Sequence, residues 1–97
     1  MQFVQKYKNI LSKYFKDKPV FKAYLFGSYA RSEANENSDI DILVELDYSE
    51  PIGLEFIQMK LDLEKLFNKS VDLITEQALS KYIKPYIEKD KILLYER

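Results

Sequence analysis

The chain has 97 residues, 46% hydrophobic and 14% aromatic, with fifteen basic and sixteen acidic side chains and a net charge of −1. That composition allows a real core and one domain, residues 1–97, but argues against a general nucleic-acid coat or a membrane-surface binder. There is no histidine and no cysteine. This excludes imidazole bases, thiolate nucleophiles, disulfides and the His or Cys zinc sites. Only Gly27 and Gly53 are glycine, too few for the glycine-rich dinucleotide or P-loop motifs. No apolar run approaches the ~18 residues of a membrane span, and Met1 to Lys8 has no signal-peptide core, so a cytoplasmic protein is expected.

Phe3, Val4, Tyr7, Ile10, Leu11, Tyr14 and Phe15 share a helical stripe with lysines off it, which predicts a helix over 2–16 ended by Asp17-Lys18-Pro19. Val20 to Phe26 is β-prone, and Gly27-Ser28 punctuates it before a helical start at Tyr29-Ala30-Arg31. After a polar loop over 35–38, Ile40, Ile42 and Val44 alternate with Asp39, Asp41 and Leu43, which predicts a second strand. A turn over 47–51 leads to a long helix over 52–67, with Leu54, Ile57 and Leu61 on one line and Phe56, Met59, Leu63, Leu66 and Phe67 beside it. Asn68-Lys69 closes it, Val71 to Ile74 reads as a short strand, and Thr75 as an N-cap. Pro85 fits the first turn of a helix through Lys89, and Ile92 to Tyr95 reads as an edge strand.

Charge is uneven. Residues 1–22 hold six lysines and one aspartate, a solvated helix face; residues 32–64 hold ten acids and one lysine. Ahead of the acidic stretch lies Gly27-Ser28, followed after ten residues by Asp39-Ile40-Asp41 within it. Glycine at a strand end permits close backbone approach, and the free N–H groups of a following helix, with the Ser28 hydroxyl, suit a phosphate. Asp39 and Asp41 lie two apart on a strand and project to one face, with Cα atoms ~6.5–7 Å apart. Such a pair repels unless a cation lies between, and hard divalent ions take oxygen ligands. Taken singly, each motif has a plain explanation: a serine-capped turn, and carboxylates that guard an edge strand. The conjunction, in this order, reads as a metal-and-phosphate site.

The run Gly27-Ser28-Tyr29-Ala30-Arg31-Ser32-Glu33-Ala34, followed by Ser38-Asp39-Ile40-Asp41-Ile42-Leu43-Val44, resembles the signature of the DNA polymerase β-type nucleotidyltransferase superfamily. More narrowly, the chain resembles the minimal nucleotidyltransferase (MNT) domains that partner HEPN-domain proteins, and the likeness continues through Val71 to Ile74 and the tail. Ser32 departs from the pattern, where glycine is common. The resemblance implies that Asp39, Asp41 and Asp72 hold two Mg²⁺ ions, with Gly27 and Ser28 cradling the β- and γ-phosphates of ATP and Arg31 reaching the triphosphate. Val71 and Leu73 would face the core, so Asp72 points the other way; a strand-end aspartate with no ligand is the alternative. Glu45 and Asp47 are rival third ligands beyond the strand's useful end. Arg31 has a rival role as a salt bridge to Glu33 or Glu36. Tyr24 is read as packing.

The resemblance further implies transfer of AMP to a hydroxyl, a tyrosine, of a HEPN toxin in a heteromeric complex, with the chain as antitoxin of a type VII-like toxin–antitoxin pair. Two other readings stand beside it. One is a non-catalytic antitoxin that acts by binding alone; the other is the catalytic half of a two-subunit small-molecule nucleotidyltransferase. Direct nucleic-acid binding is not expected. Tyr82, Tyr86 and Tyr95 are candidates for an exposed aromatic patch toward a partner, against the plainer reading of an amphipathic terminal helix. The fold expected is α+β: a mixed twisted sheet of about four strands with helices packed mainly on one face, the polymerase β-like arrangement.

Overall fold

The computed structural model describes residues 2–97, with side chains from Val4 onward; the place of Phe3 on the first stripe lies outside the described residues. The elements run α1 (Gln2–Lys16), β1 (Val20–Phe26), α2 (Gly27–Ala30), β2 (Ile40–Leu46), α3 (Gly53–Phe67), β3 (Val71–Thr75), a 3₁₀ turn (Glu76–Ala78), α4 (Lys84–Asp90) and β4 (Ile92–Glu96). They form a four-stranded sheet of order β3-β2-β1-β4. The β1–β2 and β1–β4 pairs are antiparallel, whereas β2 and β3 run parallel. A parallel neighbour needs a crossover, and α3 supplies it.

Local chemistry sets the boundaries. Asn68 ends α3 in the left-handed conformation, φ 54°, where asparagine is tolerated. The Thr75 side chain accepts from the Ala78 N–H and opens the 3₁₀ turn. Pro85 sits in the first turn of α4, where its missing N–H removes no helix bond. In contrast, the helix expected after Gly27 is only one turn long.

Period-two alternation divides β2 between two faces. Ile40, Ile42, Val44 and Leu46 enter the main core with Leu11 and Phe15 of α1, Ala23 and Leu25 of β1, Met59, Leu63 and Phe67 of α3, and Leu94 of β4. Burial of each of the larger of these side chains stabilises the fold by ~1.5–3 kcal/mol relative to exposure. Tyr7 meets Phe67 edge-on, and Tyr14 donates to Asp62 at 2.6 Å, so α1 and α3 lie side by side on this face. The opposite face holds a smaller cluster of Tyr24, Leu43 and Ile87, with Phe26, Ile74 and Leu79 against it. Thus α1 and α3 share one face, and the short α4 covers part of the other. Lys91 stacks over the Tyr24 ring and pairs with Glu88 at 2.8 Å, fastening α4 to the sheet. Tyr24 is therefore packing, as its sequence suggested.

Tyr82 and Tyr86 are exposed, but Tyr95 is not: it is buried in the main core against Phe15. The candidate aromatic patch loses Tyr95 because β4 turns it toward α1. No helix among the described residues is long and apolar enough to cross a membrane.

Candidate active site

The site forms where β1 ends. Gly27 has φ +73°, a left-handed conformation that favours glycine, and a Cβ there would collide with Asp41 Oδ2. The glycine thus lets the turn lie directly on the carboxylate. Phe26, not Ser28, occupies the N-cap position of α2, and no side chain caps it. Ser28 is consequently not spent on capping, and the first N–H groups of the turn have no partner inside a helix this short.

Asp41 pairs in register with Phe26 on one side and Asp72 on the other. Val71 and Leu73 are buried and Asp72 is exposed, so Asp72 leaves the sheet on the side opposite the main core. The parallel register therefore sets Asp72 beside Asp41, although thirty-one positions separate them in the chain. Asp39 lies just before β2 and is exposed. Burial first, then the neighbouring charges of Asp72 and Asp39, together lift the Asp41 carboxyl to about 6 against the opposing charge of Arg31. Two carboxylates whose charges act on a third, all hard oxygen donors, suit a divalent cation, which would relieve that repulsion. Among the described residues, no three acids are gathered closely enough to form a metal cluster by themselves.

Glu45 and Asp47 are removed as rivals. Glu45 pairs in register with Lys22, toward the far end of the sheet. Asp47 accepts from Ser49 and from Arg97, whose Nη1 lies 2.8 Å away, at that far end. A concavity of about 780 Å³ there is lined by Lys16, Asp47, Tyr95 and Arg97, and includes none of the three aspartates.

Arg31 is engaged twice, with Glu33 at 3.0 Å and with Asp90 at 3.5 Å. The Glu33 pair was foreseeable and Glu36 takes no part. Asp90 was missed, since no local pattern announces it; the packing of α4 near α2 brings it there. Ser32, the departure from the motif, has φ 59°. Its position is one where glycine carries no steric cost and serine does.

Comparison with known proteins agrees with this geometry. The nucleotidyltransferase domain family matches residues 4–94. A Methanocaldococcus jannaschii relative provisionally named a protein adenylyltransferase is 42% identical over 94% of this chain and 90% of its own length. The protein adenylyltransferase MntA of Thermococcus cleftensis is 44% identical over 61% of this chain and 59% of its own. A solved structure provisionally named a minimal nucleotidyltransferase superposes with a TM-score of 0.79 at 26% identity, covering 94% of this chain and 92% of that one. A chain of the solved structure of a tri-AMPylated Shewanella oneidensis HEPN toxin in complex with MNT antitoxin superposes with a TM-score of 0.70 at 22% identity, over 97% of this chain and 73% of that one. The turn, the paired strands and the family match together make this chain a member of the nucleotidyltransferase domain family.

Proposed function

We propose that the chain, as a single minimal nucleotidyltransferase domain over 1–97, transfers AMP from ATP to a tyrosine hydroxyl of a HEPN-domain toxin and so acts as its antitoxin in the cytoplasm. The hydroxyl oxygen bonds to the α-phosphorus, the bond to pyrophosphate breaks, and the hydroxyl proton passes to a site carboxylate. The observation that carries this reading is the register match of Asp41 with Asp72 beside a left-handed turn that favours glycine and lies directly on Asp41. The protein adenylyltransferase relatives and the AMPylated toxin complex support the acceptor and the partner.

Each residue has a task. Asp39, Asp41 and Asp72 would hold two Mg²⁺ ions. Bound there, the ions would activate the attacking hydroxyl and neutralise charge on the triphosphate. Gly27 keeps the turn against Asp41, and Ser28 with the adjacent N–H groups receives the β- and γ-phosphates. Arg31 is set near Asp41 by its pairs with Glu33 and Asp90, within the field of the site.

The test is incubation with labelled ATP, Mg²⁺ and the partner encoded by the neighbouring gene. Label on that partner, lost with Asp39→Ala or Asp41→Ala, is the expected result. Tight binding and neutralisation that survive both substitutions would favour action by occlusion; label only on an added small molecule would favour the two-subunit enzyme. Ser28→Ala is expected to weaken triphosphate binding roughly tenfold without unfolding the chain, by loss of one hydrogen bond to a charged group. Equal affinity in a titration of the two proteins would remove the phosphate role from this residue.

A further inference from the structure

Helix α3 has two apolar faces. Met59, Leu63 and Phe67 are buried against the sheet. On the opposite side, Leu54, Ile57 and Leu61 stand 80%, 56% and 47% exposed. Their spacing of three and then four residues is that of a coiled-coil seam, in which Gln58, Lys60 and Lys65 take the flanking positions. Leucine and isoleucine left this open on one line form a surface that solvation alone does not explain.

The charges beside the seam are one-sided. The three acids of α3 after its first turn and at its start are each engaged within the fold: Glu55 pairs with Lys18 at 3.1 Å, Asp62 accepts from Tyr14 and Gln58, and Glu64 accepts from the Val71 N–H. Lys60 and Lys65 form no ion pair among the described residues, although the Lys65 charge helps hold the Asp62 carboxyl below its usual range. The seam is therefore apolar along its middle and cationic along its edges.

We infer that this outer face of α3 is a docking seam for an amphipathic helix of a partner protein, with apolar residues on its facing stripe and acidic residues at its flanks. A second copy of this chain does not fit. In a parallel pair Lys60 would face Lys65 of the other copy, and in an antiparallel pair Lys60 would face its own counterpart, so like charges meet in either direction. The seam also lies on the α1–α3 side of the sheet, away from the face that bears Asp41 and Asp72. Holding a partner and modifying it are thus separate tasks of separate surfaces.

The inference rests on the proposed function only for the identity of the protein used in the assay, the partner encoded by the neighbouring gene. The full chain alone is expected to sediment as a monomer at micromolar concentration. Leu54→Glu with Leu61→Glu, both at exposed positions, is expected to leave the unfolding transition in place and to weaken partner binding at least ~100-fold. Lys60→Glu with Lys65→Glu is expected to weaken it ~10-fold and to flatten its dependence on salt. Unchanged affinity for the leucine pair overturns the seam, tighter binding by the lysine pair overturns the acidic flanks, and a dimer of the parent dispersed by the leucine pair overturns the choice of occupant. A parent that binds with this pattern but transfers no label leaves the seam standing and removes the transferase reading; a parent that does not bind the partner removes both.

Discussion

The two faces of the sheet divide the work of this protein. Toward α1 and α3, Leu11, Phe15, Leu25, Ile42, Val44, Met59 and Leu63 are wholly excluded from solvent. Toward α4 the cover is thin: Tyr24, Leu43 and Ile87 are buried, while Asp41 is half-buried and Asp72 is open. One strand serves both, because successive side chains of β2 alternate between a close-packed interior and a charged rim. The first face stabilises the fold, and the second accepts an electrostatic cost to keep carboxylates together.

Changes on the two faces should therefore act in opposite directions. Asp41→Asn is expected to lower AMP transfer on the order of 10³-fold, the scale of losing a central charged group of a site. Yet in metal-free buffer it should stabilise the fold at pH 7. The folded carboxyl titrates near 6, above the ordinary 3.8 of the unfolded chain, so the parent loses stability as pH rises through that window. The gain is on the order of 1 kcal/mol, since a partly exposed carboxylate is screened by solvent, and it should vanish at pH 4 and below. Urea unfolding at the two pH values checks this; a variant no more stable than its parent at pH 7 would mean that neither burial nor the neighbouring carboxylates penalise the Asp41 charge.

Ile42→Ala, one residue away on the other face, should cost ~3 kcal/mol by the same measurement, because it empties a fully buried position. A loss under ~1 kcal/mol would blur the distinction between the faces. Ser32→Gly should add ~1 kcal/mol by releasing the left-handed strain beside the site, with transfer retained; a lower melting temperature would show that the serine is not strained there. Tyr14→Phe should cost ~1 kcal/mol by removing the bond to Asp62 that joins α1 to α3. The Tyr14 hydroxyl holds the Asp62 carboxyl below its usual range. That contribution is present above the unfolded pKa of Asp62 and fades as pH falls, so the two proteins should converge in acid.

Much of this architecture was legible in residue order. The stripe from Val4 to Phe15, the run from Val20 to Phe26 and the alternation after Asp39 each specify their element through local geometry. Gly27, Ser28, Asp39 and Asp41 announce a site because only three residue types and a spacing are needed to state it. Residues whose roles depend on distant partners were harder. Tyr95 reads like Tyr82 in composition, but a core awaits one and water the other. Arg31 showed its neighbour Glu33, not Asp90, which lies fifty-nine positions away. The single-turn length of α2 was not legible either, since helical propensity after Gly27 carries no information about the left-handed turn at Ser32 that follows it.

Residue order by itself determined which side chains share a strand face and where the chain must turn, because both follow from a repeat of two or 3.6 residues and from backbone sterics. Tertiary structure alone decided that β3 lies parallel beside β2, which brings Asp72 to Asp41, and that the line Leu54-Ile57-Leu61 faces outward. Periodicity says which residues travel together but not what they meet. That is settled by the competition among faces for one buried interior, in which Met59 and Leu63 took the place on the sheet and left the other line of α3 to solvent.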